Sequence, residues 1–430
     1  MLKKTIDSIL FLYIVISLFR ASEVFAQTGV DSIVSASKYT FLKTALNRIE
    51  NDSIALAFFY EKLYRLYETK QGRVNVVHIG DSHIQADFFS GKIRQNIQHH
   101  FGNAGRGFVF PYRVAKTNEP SSYKTSSNVV WESKRNVFPE KPMPIGIGGI
   151  TIETPDTSAE IKLVVNNQPG LDYGFNKLTL FHQKGNDNYD FVVCDETQCR
   201  KGFISSTSQS TNPFVSVQKF DHPMHEITLS CSSRDTSLSG CAQIYGMLLE
   251  NDSAGVLYNT IGVNGAEYRY YNISEYFMQQ LSYLSPDLVI ISMGTNEGFH
   301  AGFDSTLFYA QVDTFVSAIL KSNPGVNLLL TTPGDSFRKT RRGKIKNPDM
   351  KVARNTIVRY CRNNHLAYWD LYEIMGGLGS MNKWYSSKLT AKDKLHFSRK
   401  GYEIQGDLFY KALYEGYTKS QKSKMKSEKK

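Results

Sequence analysis

Four short runs in this 430-residue chain carry residue types that can do chemistry together. The first is Gly80-Asp81-Ser82, entered directly from the apolar run over residues 74–79. Its serine hydroxyl is a candidate nucleophile, and free N–H groups at a helix start beside it would stabilise negative charge. The second is Asp393-Lys394-Leu395-His396. A carboxylate three residues before a histidine can fold back onto ring Nδ1, fixing the tautomer so that Nε2 faces a serine. The third, Gly294-Thr295-Asn296-Glu297, exposes the Asn296 amide, a neutral donor suited to a developing oxyanion. The fourth, Ile261-Gly262-Val263-Asn264-Gly265-Ala266, offers a glycine whose backbone N–H is uncovered and can serve as a further oxyanion donor. Taken singly, Asp-Ser is also an N-cap and Asn296 also a turn residue. Taken together, they supply nucleophile, base, orienter and oxyanion donors.

The elements around these runs would bring them to one place. Residues 74–79, 255–263, 288–293, 326–332 and 366–371 read as strands, short and apolar as strands buried on both faces are. Helical patterns over 84–101, 274–284, 307–321, 350–364 and 399–417 alternate with them. Five strands alternating with helices predict an α/β fold, a three-layer αβα doubly wound (flavodoxin-like) parallel sheet. Such sheets place ligand sites at the carboxyl ends of their strands, where all four runs fall.

Two stretches do not belong to that pattern. Residues 37–69 read as helical, within an N-terminal segment over 27–70. Between 107 and 250, short alternating runs at 161–165, 177–181, 190–193 and 226–231 are separated by Gly, Asn, Pro and Ser clusters. That texture predicts an antiparallel β-sandwich over 108–250, inserted between catalytic-domain parts at 71–107 and 251–417.

The chain starts as an exported protein does. Lys3 and Lys4 precede an apolar run at 9–19, which Arg20 and Glu23 close, and Val24-Phe25-Ala26 offers a cleavage point before Gln27. The expectation is a signal peptide over 1–26 and a periplasmic or cell-surface protein, the alternative being an uncleaved anchor. No other run approaches the twenty or so apolar residues of a membrane span, so no stable span follows signal cleavage. Of the net charge of +11, five units sit in the Lys-rich tail over 418–430 and one in the leader. The remainder is a mild excess over nearly four hundred residues, which argues against nucleic acid as a partner. The tail reads as a solvated, disordered end. Five cysteines at 194, 199, 231, 241 and 361 match no zinc spacing. Cys194–Cys199 and Cys231–Cys241 could form local disulfides, and Cys361 reads as a buried thiol.

Remaining candidates are weaker. His78 reads as a hydrogen-bonded core residue, His99 and His100 as a helix C-terminal turn, and His83 as structural or substrate-edge. The basic run 338–346 is a solvated loop that could also attract an anionic glycan.

In order and placement, the four runs resemble the SGNH (GDSL-type) hydrolase superfamily. The runs Gly80-Asp81-Ser82-His83-Ile84-Gln85-Ala86-Asp87-Phe88-Phe89, Gly102-Asn103-Ala104-Gly105-Arg106-Gly107 and Gly262-Val263-Asn264-Gly265-Ala266 are most similar to its bacterial peptidoglycan O-acetylesterase branch. His83 stands where the wider superfamily has Leu, and Glu297 where Asp often follows the Asn. The resemblance implies Ser82 as nucleophile and His396 and Asp393 as base and orienter. It implies an oxyanion hole from the N–H groups of Ser82 and Gly265 and the Asn296 amide, with no metal or organic cofactor. It further implies a carbohydrate-binding-module-like insertion and an acetylated glycan as partner, most closely the O-acetyl group on peptidoglycan muramic acid; a monomer is expected. An O-acetyltransferase, an esterase of another polysaccharide, or a carbohydrate-binding envelope protein with a vestigial triad are the alternatives.

Overall fold

The computed structural model describes residues 38–195, 202–207, 214–233, 240–300, 302–341 and 343–427. Five strands pair in parallel in the order Gly255–Gly262, Arg73–Gly80, Leu288–Ser292, Asn327–Thr331, Ala367–Trp369. In chain order this is 2-1-3-4-5, the flavodoxin-like doubly wound arrangement, whose direction of growth reverses between the first and third strands. Successive side chains of the first strand feed two separate cores: Val77 and Ile79 on one face, Val74 and Val76 on the other. A sixth strand, Ile49–Glu50, pairs antiparallel with Ala367–Trp369 at the sheet edge. This corrects the helix expected over 37–69. Asn51 at φ +60° ends the strand; Thr44–Leu46 is a single 3₁₀ turn, and Asp52–Ala55 and Ala57–Thr69 are α-helical.

Between residues 107 and 250 the chain forms two antiparallel sheets. One runs Gly202–Ile204, Asp190–Cys194, Glu226–Ser232, Glu160–Val165, Tyr123–Ser127. The other runs Val215–Met224, Phe175–His182, Ala242–Glu250, Ile150–Thr154, Glu132–Arg135, with Gly107–Val109 added against Ala242–Glu250. Ala242–Glu250 is buried along its whole length. Its reason is a shared core: Leu180 and Met247 of this sheet cluster with Val77, Ile79 and Phe277 of the α/β domain. Ring contacts Phe181–Tyr283 at 5.6 Å and Phe214–Tyr276 at 4.2 Å close the same seam. Burial of this kind contributes roughly 25 cal/mol per Å², so the sheets are packed onto the α/β domain and not tethered beside it.

Several local expectations need correcting. The helix expected over 84–101 is two helices, Ser82–Gln85 and Phe89–Phe101, broken where Asp87 adopts φ +55°. The break turns the Asp87 carboxylate inward to bind two buried guanidiniums, Arg94 at 2.6 Å and Arg106 at 3.0 Å, and the Ser90 hydroxyl at 2.7 Å. Burial would raise the Asp87 pKa, but these cations hold it below the ordinary carboxylate range. Likewise 274–284 is helical only over Phe277–Tyr283, after a separate turn Tyr268–Asn272.

The tail is not disordered over 418–427: the closing helix runs Arg399–Ser427, with Gln421 buried and Lys424 ion-paired to Glu61. Cys231 and Cys241 are separate thiols, pushed up to about 12 and about 11 by burial. Cys231 lies opposite Phe191 in its sheet, and Cys241 bridges to Asn188. Cys199 and residues 1–37 lie outside the described residues. Cys361 is a buried thiol on the helix Asp349–Asn363. The basic run is a hairpin, Phe337–Thr340 with Gly343–Lys346. Among the described residues no helix is long and apolar enough to cross a membrane.

Candidate active site

Register sets three strand ends level. Gly80 is paired with Gly262 on one side and with Ser292 on the other. Ser82, Gly265 and Asn296 therefore arise two, three and four residues beyond one line across the sheet, at its carboxyl edge and beside the switch point. The turns are tight enough to demand glycine. A Cβ on Gly80 would lie 2.3 Å from Ile84 Cγ1, and one on Gly262 would lie 2.2 Å from Gln85 N.

Ser82 Oγ lies 2.9 Å from His396 Nε2, and His396 Nδ1 lies 2.7 Å from Asp393 Oδ2. With Nδ1–H donating to the carboxylate, Nε2 is left to accept the serine proton. Asp393 also builds its own loop, because its Oδ1 accepts the N–H groups of Leu395 and His396 at 3.0 Å each. Partial burial alone would raise the Asp393 pKa; the bonds from the His396 ring and the two amides outweigh it and hold the carboxyl below its ordinary value. The loop is pinned from outside by the basic hairpin, where Phe337 N–H donates to Lys394 O at 3.0 Å and Lys344 Nζ donates to Lys392 O.

On the opposite side of Ser82, Asn296 Nδ2 donates to Ala266 O at 2.8 Å. That bond aims the amide and uses one of its two hydrogens. Gly265, at φ +83°, is exposed, and among the described residues neither its N–H nor that of Ser82 has a protein acceptor. The helix beginning at Ser82 is four residues long, so its contribution to charge stabilisation is that of its end N–H groups and not of a long dipole. Asp81 caps it, accepting His83 N–H at 2.9 Å, with Asn296 Nδ2 3.4 Å from its other oxygen. Burial pushes the Asp81 pKa up to about 6.

The histidines divide clearly. His78 is a core residue, bonded to Tyr258 OH at 2.8 Å and Ser292 Oγ at 2.7 Å, and burial takes it down to about 3. His83 turns from Ser82 to Tyr402 OH at 2.8 Å, with its ring 5.1 Å from that of His396. Burial first, then the His396 ring, bring His83 down to about 3, so a neutral ring stands beside His396. His100 stacks on Tyr67 at the end of its helix. The residues that sequence reasoning missed are Tyr402, which holds His83, and Gln85, whose amide joins three segments. Gln85 stands inside a motif already singled out, but its partners are distant in sequence. Among the described residues no three His, Cys, Asp or Glu gather as a metal site.

The chain matches the GDSL-like Lipase/Acylhydrolase family over residues 230–404, a span that holds Gly265, Asn296, Asp393 and His396 but not Ser82. The insertion separates Ser82 from the other three runs in sequence, and folding brings it back beside them. A solved peptidoglycan O-acetylesterase is similar over 86% of this chain and 99% of its own, with TM-score 0.72 and 21% identity. An acetyl xylan esterase is similar over 37% of this chain and 81% of its own, at TM-score 0.31 and 19% identity. A GDSL-like lipase from Bacteroides thetaiotaomicron is similar over 37% and 76%, at TM-score 0.30 and 21% identity. No curated protein matches the sequence. The family match thus covers three of the four site turns, and the fold is shared almost end to end with a solved esterase.

Proposed function

We propose that this protein is an exported serine esterase that removes O-acetyl groups from a carbohydrate, most closely the muramic acid of peptidoglycan. The observation that carries the reading is the Ser82–His396–Asp393 chain at 2.9 and 2.7 Å, opening beside an inserted β-sandwich. His396 Nε2 takes the Ser82 proton as Oγ bonds to the acetyl carbonyl carbon. The resulting oxyanion accepts from Ser82 N–H, Gly265 N–H and the Asn296 Nδ2 hydrogen that does not bond Ala266 O. As the carbon–oxygen bond to the sugar breaks, His396 returns its proton to the sugar oxygen, leaving acetyl-Ser82. Water, deprotonated by His396, then attacks the acetyl-serine, and acetate leaves as Ser82 recovers its proton.

The glycan reading draws support from the sandwich, which we take to be a carbohydrate-binding module, and from the likeness to a peptidoglycan O-acetylesterase. Export rests on the leader, and the mature chain should begin at Gln27 by mass spectrometry. Acetate release measured in parallel on O-acetylated peptidoglycan and acetylated xylan tests the substrate: peptidoglycan should be favoured, and release that survives Ser82→Ala would sink the mechanism.

A further inference from the structure

Gln85 is 1% exposed, three residues past the nucleophile, and its amide is wholly engaged outside its own helix. Oε1 accepts the Asn264 N–H at 2.7 Å. Nε2 donates to Asn118 O at 2.9 Å, Asn118 Oδ1 at 3.0 Å and Thr117 Oγ1 at 3.0 Å. Asn264 closes the ring, its Nδ2 reaching Asn118 Oδ1 at 2.6 Å and Thr117 Oγ1 at 3.2 Å. The turn bearing Ser82, the turn bearing Gly265 and a segment that leads into the inserted sheets thus meet in one cyclic network.

Gly265 is the residue with most to gain from it. It is exposed, its positive φ is open to glycine alone without strain, and only Val137 approaches where its Cβ would be, at 3.9 Å. Its N–H belongs to the planar peptide that begins at Asn264, so whatever fixes Asn264 aims that N–H. Asn264 is fixed at its backbone by Gln85 and at its side chain by Asn118 and Thr117.

We infer that Gln85 and Asn118 are positioning residues for ester cleavage, holding the Gly265 N–H on the oxyanion through Asn264. The segment entering the insertion therefore completes the reaction centre, and its contribution extends to esters too small to touch a glycan surface. This rests on the acyl-serine reading of Ser82. Oxyanion donors act by being pre-aimed, and a displacement of about 1 Å can cost on the order of a hundredfold in rate.

Steady-state hydrolysis of p-nitrophenyl acetate by the full chain tests it. Asn118 is exposed, so Asn118→Ala should fold with an unchanged melting temperature while kcat falls about tenfold at constant KM. Asn118→Asp keeps an acceptor for both the Gln85 and Asn264 amides and should restore most of kcat; Gln85→Met, which removes both ends of the network, should fall further than Asn118→Ala. Wild-type kcat in Asn118→Ala, an equal loss in Asn118→Asp, or a loss confined to KM on polymeric glycan would overturn the inference. A wild-type chain whose turnover is insensitive to Ser82→Ala would instead overturn the acyl-serine reading, and the inference with it.

Discussion

The two flanks of Ser82 are built in opposite ways. On the base side, Asp393 and His396 stand three residues apart on one loop, with side chains 47% and 37% exposed. On the oxyanion side, Gly265 and Asn296 come from different strand ends, Ala266 O belongs to the Gly265 turn, and the supports Gln85 and Asn118 come from two further segments. The base side is a local device standing in solvent, whose electrostatics water screens. The oxyanion side is a long-range device, an amide network anchored on the buried Gln85, whose fixed donors need no reorganisation during reaction. One flank depends on which residues are present, the other on whether the whole fold is right.

The largest effects should ignore this difference, because in the proposed mechanism both flanks serve Ser82. Ser82→Ala and His396→Ala should each lower acetate release by about 10⁴-fold or more, and the double variant should be no worse than either alone. Multiplying losses would mean that the two groups act separately. On the oxyanion side, Asn296→Ala should lower kcat by about 10²- to 10³-fold with little change in KM. A loss in KM alone would place Asn296 on the ground-state substrate and remove it from the oxyanion.

On the base side, Asp393→Asn should cost less. A buried triad aspartate is worth about 10⁴ in kcat, but Asp393 is half-exposed and its carboxylate is partly spent on two loop amides. The expected loss in acetate release is roughly tenfold to a hundredfold. If Asp393→Asn proves as damaging as His396→Ala, the base side is as pre-organised as the oxyanion side and the contrast fails.

The same division governs what was legible in the sequence. Val74 to Ile79 and Leu288 to Met293 announce their strands by composition, and each site turn directly follows such a strand, so the edge where Ser82, Gly265 and Asn296 assemble could be read. Asp393 and His396 were readable because their coupling spans three residues. The helix break at Asp87 was not, because its ion-pair partner Arg106 stands 19 residues further along, beyond the end of the helix. Gln85 looked like one more residue of a helix because Thr117, Asn118 and Asn264 give no local sign of meeting it. The helical tail beyond Tyr417 has a composition that suits solvent, and its contacts with the N-terminal helix, such as Lys424 with Glu61, leave no periodic trace.

The smallest effect, and the one that probes the surroundings of Asn296 most directly, lies at Glu297. Its Oε1 accepts Tyr268 N–H at 2.8 Å, while Oε2 is buried without a partner among the described residues. Burial, with the nearby Glu267 and Asp81 carboxylates adding, pushes its pKa up to about 8. At neutral pH the folded protein therefore holds Glu297 protonated, whereas the unfolded chain ionises it near the ordinary value of 4.5. Between those values the folded state binds more protons than the unfolded one, so this group's stability contribution falls as pH rises and levels off above about 8. Glu297→Gln mimics the protonated acid and should remove that slope. Urea midpoints of the two proteins should lie close together near pH 4.5 and separate toward pH 8, with the variant the more stable, while acetate release at pH 7 stays nearly unchanged. Parallel midpoints across that range would mean that Glu297 is ionised and paired, and that the oxyanion side is less dry than its geometry implies.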